Sequence, residues 1–154
     1  MKALVLSLLA LTACAEPERE FPVLLHYEGS EEVRPYAEQA VINWNGACGF
    51  DVFVFAQNGI PVSQADKVDI PDEDKSDVTR GKANMVTLGF TKVVDDSPVE
   101  VRFVHRGIPL QTLLVLEHEF GHVLFGKAHD NSHVNIMHEL VNKEAHPSPK
   151  DCRL

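Results

Sequence analysis

The chain has 154 residues, 44% of them hydrophobic, which is enough for one domain with a real core. Its formal net charge of −9, from 14 basic and 23 acidic residues, excludes nucleic acid as the main partner, because a phosphate backbone would be repelled. The acidity mildly favours cationic substrates, but ordinary solubility accounts for it as well.

The first element is a targeting segment. Lys2 is a minimal positive region, and Ala3 to Thr12 is an apolar run too short to span a bilayer as a stable helix. Residues 1–13 therefore read as a signal peptide. The run ends in Leu11-Thr12-Ala13-Cys14, which resembles the lipobox of bacterial lipoproteins and implies lipidation of Cys14. Ala13-Cys14-Ala15 also fits ordinary secretory cleavage, which would give a secreted soluble protein. On the lipobox reading, 14–20 is a tether behind an acylated Cys14. The protein is then exported and held to a membrane, facing the periplasm or the cell surface. Residues 21–154 form a single domain, expected as a monomer.

Phe21 to Tyr27 reads as a first strand, with Pro22 tolerable at its start. After a turn at Glu28-Gly29-Ser30, a helix begins near Glu31 or at Pro35, since proline suits the first helical position. Val33, Ala37, Ala40, Val41 and Trp44 fall on one apolar stripe, and Asn45-Gly46 and Gly49 end the helix. Phe50 to Ala56 alternates as a second strand, closed by Asn58-Gly59. Lys67 to Ile70 offers a short third strand. Pro71 to Asp77 is an acidic solvated loop whose spacing fits no calcium-loop template. Asn84 to Val94 and Pro98 to Arg106 read as two further strands around an Asp95-Asp96 turn, with Val99, Val101 and Phe103 sharing a face. Gly107 and Pro109 precede a helix from Leu110 to about Phe125. With Cys14 consumed, Cys48 and Cys152 remain. In an oxidising compartment they suggest a disulfide across 104 residues, worth up to ~4.7 kcal/mol in the chain-entropy model; two unpaired thiols are the alternative.

The last helix carries the chemistry. Residues 118–130 read HEFGHVLFGKAHD. His118 and His122 lie one helical turn apart, so both imidazoles project from one face and can share one zinc ion. Leu113, Leu116, Phe120, Val123 and Leu124 supply a separate stripe for the sheet. Glu119 stands where its carboxylate can take a proton from a zinc-bound water and pass it to the leaving amine. His129 would be a third ligand, leaving one open position as a catalytic zinc requires. Asp130 and His133 are substitutes for it. The pattern predicts one catalytic Zn2+ and hydrolysis of a protein or peptide substrate. A zinc-binding lipoprotein that recognises a partner without cleaving it is the alternative. His26, His105, His138 and His146 read as surface or strand-end residues.

At this point the chain resembles the metzincin zinc peptidases, whose pattern is H-E-x-x-H-x-x-G-x-x-H followed by a methionine-bearing turn. His118, Glu119, His122, Gly126, His129 and Met137 match those positions in order. The spacing of Met137 is similar to that of matrixins, Asp130 to the adamalysin pattern, and Ile136-Met137-His138 to the astacin turn. The resemblance implies an α+β zincin-like catalytic domain. It would have a twisted mixed sheet, an antiparallel edge strand over 84–94 that receives an extended substrate, an active-site helix and a small C-terminal subdomain. Two positions depart from the family. Phe125 is one extra residue before the glycine, expected to be absorbed as a longer last turn or a bulge. Glu139 stands where astacin-type turns carry a tyrosine.

Overall fold

The computed structural model of the chain describes residues 20–67, 88–126, 136–137 and 144–152. Cys14, His129, Asp130, His133, His138 and Glu139 lie outside them. So do 68–70 of the expected third strand and 84–87 of the expected edge strand.

The fold is α+β. Five strands form one mixed sheet: β1 (Val23–Tyr27), β2 (Phe53–Phe55), β3 (Ile60–Gln64), β4 (Gly89–Val94) and β5 (Ser97–Phe103), in the order β2-β1-β3-β5-β4. Strands β2, β1, β3 and β5 run parallel, and β4 pairs antiparallel with β5 at one edge. Among the described residues there are two helices, α1 (Arg34–Cys48) and α2 (Pro109–Phe125). Alternation along the strands sends Leu25, Tyr27, Phe53, Val62, Val101 and Phe103 to one buried face, which packs on Val33, Ala37, Ala40 and Trp44 of the α1 region and on Leu116, Phe120 and Val123 of α2. Leu24, Val54 and Arg102 lie on the other, exposed face.

Helix α1 starts where proline can stand without a donor and ends at Gly49, whose φ of 75° closes the helix with an N–H to the Asn45 carbonyl. Of the two stop signals in the sequence, Gly49 ends the helix as expected, while Asn45-Gly46 is run through. An exposed glycine costs a helix only ~1 kcal/mol relative to alanine. Asn45 instead reaches out of the helix: its Oδ1 accepts the Val52 and Phe53 N–H groups and its Nδ2 donates to the Phe53 carbonyl, pinning the start of β2.

The structure adds a strand the sequence does not suggest, and the expected one at Lys67 to Ile70 falls almost wholly outside the described residues. Lys67 is in no strand, and β3 occupies Ile60–Gln64. Asn58-Gly59 resembles a hairpin turn, yet the chain does not reverse. β2 pairs with the first half of β1 up to Leu25, and β3 pairs with the second half from Leu25 on the opposite side, in the same direction. Between them the chain steps over β1, anchored by the Ala56 N–H on the Leu25 carbonyl and by His26 Nδ1 on the Ala56 carbonyl. At the crossing Gly59 lies against the Leu24–Leu25 backbone, where a Cβ would come within 2.5 Å of main-chain atoms. The β4–β5 hairpin turns at Asp95 and Asp96, both at positive φ, as a primed two-residue turn requires. Cys48 at the end of α1 is bonded to Cys152, with Cα atoms 5.1 Å apart.

Replacing Gly59 with alanine is expected to destabilise the protein by about 3 kcal/mol, at the upper end of overpacking costs, because the contact is with β1 backbone paired on both sides. Urea denaturation measures this; an unchanged midpoint would mean that the crossing can open without loss.

Candidate metal centre

Helix α2 is buried along most of its length, from Leu114 to Leu124, not on one stripe only. Within it Glu117, His118 and Glu119 are consecutive and all buried, at 0%, 7% and 4% exposure. A helix turns ~100° per residue, so three neighbours point in three directions and each needs its own partner.

Glu117 faces α1 and the C-terminal segment. Asn43 Nδ2 donates to its Oε1, His146 Nδ1 donates to its Oε2 at 2.8 Å, and Trp44 Nε1 donates to its carbonyl oxygen at 2.9 Å. Burial pushes its carboxyl above the usual range, and the Asn43 and His146 hydrogen bonds work against that shift. His146 does lie at the surface, as its sequence context suggests, but one ring nitrogen reaches a fully buried carboxylate.

His118 and His122 converge. Their Nε2 atoms stand 3.0 Å apart with the rings nearly perpendicular. Each Nδ1–H is committed to a backbone carbonyl: His118 to Ile136 at 2.6 Å and His122 to Gly126 at 2.7 Å. This fixes both rings in the tautomer that presents Nε2 as a donor of electrons, the outer-shell arrangement of metal-ligating histidines. Two such atoms facing each other repel unless a cation lies between them. A tetrahedral zinc holds ligands ~2.0–2.1 Å away and hence about 3.3 Å apart, close to the spacing observed. The pair therefore fits a metal ion. Among the described residues no group of three or more His, Cys, Asp or Glu side chains is arranged as a metal cage; His129 is not among them.

Glu119 faces β4. Thr91 Oγ1 donates to its Oε2 at 2.7 Å and lies 3.0 Å from its carbonyl oxygen, while Oε1 lies so close to Gly89 that a Cβ there would come within 2.4 Å of it. Burial pushes the Glu119 carboxyl up to about 8, with the Thr91 hydrogen bond acting in the opposite direction. Met137 is buried against α2, its Sδ over Gly121 between the two histidines.

The structure thus brings together His118, His122 and Met137 on one side of α2, with Glu119 held on another by β4. Sequence reading missed Thr91, Gly89, Asn43, Glu117 and the inward role of His146. Alternation along 89–93 could have put Gly89 and Thr91 on one face, but nothing local points that face at Glu119.

The extra residue at Phe125 is absorbed as helix. Phe125 packs near Trp44, and the Gly126 N–H still reaches the His122 carbonyl at 2.9 Å. Gly126 then takes φ 70° and ψ −147°, a conformation essentially confined to glycine, and its carbonyl holds the His122 ring. Among the described residues a Cβ at Gly126 would meet no other atom, so the cost of Gly126→Ala is argued from its conformation. It is expected to destabilise the fold by about 1–3 kcal/mol, read as a lower urea midpoint. An alanine variant as stable as the parent would show that the turn can be made another way.

Among known proteins, no protein-family model and no curated protein matches this chain.

Proposed function

We propose that the protein is a zinc-dependent endopeptidase of metzincin type, exported and anchored through a lipidated Cys14. The observation that carries this reading is the His118–His122 pair, with Nε2 atoms 3.0 Å apart and both rings fixed from behind by backbone carbonyls. Three further features support it. A carboxylate, Glu119, directly follows the first histidine and is not needed to hold the metal. Met137 packs against Gly121, one residue before His122 on the same helix. An antiparallel edge strand, β4, lies alongside the helix that bears the histidines.

His118 and His122 would hold the ion, with His129 as third ligand. Zinc, when bound, supplies Lewis acidity that makes a water more acidic and polarises a peptide carbonyl. Glu119 takes the proton of the attacking water and returns it to the leaving amine, so no side-chain nucleophile is required. The outer edge of β4 can take an extended peptide by main-chain hydrogen bonding, with side-chain pockets setting preference.

The test is zinc content and cleavage together, on soluble protein lacking residues 1–14. About one zinc per chain and cleavage of an unstructured substrate such as casein are expected, with both lost on chelation. Glu119→Gln should keep the zinc and lose cleavage by ~100-fold or more, whereas His118→Ala should lose the zinc. His129→Ala with undiminished zinc affinity would reassign the third ligand. Full zinc occupancy with no cleavage of a broad peptide library would overturn the peptidase reading and favour a lipoprotein that binds a partner without cutting it.

A further inference from the structure

We propose that Thr91 is a positioning residue for Glu119, so that one strand, β4, both receives the substrate and fixes the base that acts on it. The inference rests on the peptidase reading and adds a residue that the histidine motif does not contain.

Both carboxylate oxygens of Glu119 are located by β4, not by the helix that carries them. Oε2 accepts the Thr91 hydroxyl proton at 2.7 Å, and Oε1 lies so close to Gly89 that only the missing side chain there leaves it room. Gly89 and Thr91 are two apart, so they share the strand face turned to α2, and Thr91 is 7% exposed. A hydroxyl has one proton to give. At 2.7 Å to a carboxylate oxygen against 3.0 Å to the Glu119 carbonyl, the closer side-chain acceptor takes it.

Among the described residues the strand that does this is paired on one side only, with β5, through Gly89–Phe103, Thr91–Val101 and Lys92–Glu100. Its other edge is the one on which an extended peptide would add. A peptide hydrogen-bonded there bears on the same short backbone that sets the Glu119 carboxylate. Docking and base placement are then mechanically one event, and loss of the Thr91 hydroxyl should be felt in turnover more than in binding.

Thr91→Val keeps the shape and removes the proton, and Thr91→Ser keeps the proton. With a fluorogenic peptide, Thr91→Val should lower kcat by ~10- to 100-fold, the scale of a misplaced catalytic group, with KM within about twofold and zinc content unchanged. Thr91→Ser should stay within about threefold of the parent kcat. Crystal structures of the metal-free proteins supply a readout independent of activity: the carboxylate stays on the strand in Thr91→Ser and leaves it in Thr91→Val. Parent-like kcat in Thr91→Val, equal losses in both variants, or a loss that follows zinc content or unfolding would each overturn the proposal. If the parent protein cleaves nothing, the peptidase reading fails by itself, and an unmoved carboxylate in the Thr91→Val crystal would separately overturn the positioning role.

Discussion

The structure depends on burying Glu117, His118 and Glu119 side by side on one helix. Water is withdrawn from all three, and a buried polar group left without a partner costs about 1–3 kcal/mol, more when charged. Consecutive helical residues cannot share a partner, so the rest of the chain is distributed around α2 to supply one for each. Strand β4 attends Glu119, the backbone at Ile136 attends His118, and α1 with the C-terminal segment attends Glu117. No buried side-chain nitrogen or oxygen among the described residues lacks a hydrogen-bond partner. Placement of the site and completion of the core are therefore the same event.

The disulfide belongs to this arrangement. The described C-terminal stretch 144–152 buries little apolar surface of its own; Ala145 is its one residue in the core. What it delivers is the His146 ring to Glu117 and a short turn held by Asp151 on Ser148. A segment so weakly packed would not order itself for one hydrogen bond, since fixing each backbone residue costs roughly 1–2 kcal/mol. The bond from Cys152 to Cys48 ties it to the end of α1, the helix that also supplies Asn43 to the same carboxylate and Trp44 to the Glu117 backbone carbonyl. One cross-link thus brings both sides of the Glu117 cradle together.

What could be read from the chain divides by the range of the interaction. His118 and His122 are four apart on a helix, and helical geometry alone makes them converge. The pairing of Cys48 with Cys152 was legible from the even count that remains once Cys14 is set aside. Most elements followed from periodicity, including both helices, the β4–β5 hairpin and its Asp95-Asp96 turn. The misses have one cause. Asn58-Gly59 closes the second strand as expected, but that the chain then crosses β1 depends on β1 lying beneath Gly59, not on local composition. Asn45-Gly46 is locally a helix stop, and only the nearby start of β2 gives the Asn45 side chain other work. Thr91 meets Glu119 across 28 residues and Asn43 meets Glu117 across 74, distances over which composition and spacing carry no signal.

Phe125 joins the two kinds of information. By sequence it is one residue too many between the second histidine and the glycine, and an added helical residue turns the chain by ~100°. The helix keeps it: the ring packs near Trp44, and the hydrogen bond from Gly126 to the His122 carbonyl preserves the last turn without a bulge. The chain then leaves the helix through Gly126, at φ 70° and ψ −147°. The same glycine carbonyl orients His122, so helix exit and the orientation of that ring are set at a single residue. A longer helix moves the point of exit, but an exit made through a glycine-only conformation can aim the following chain in a direction no other residue could give it.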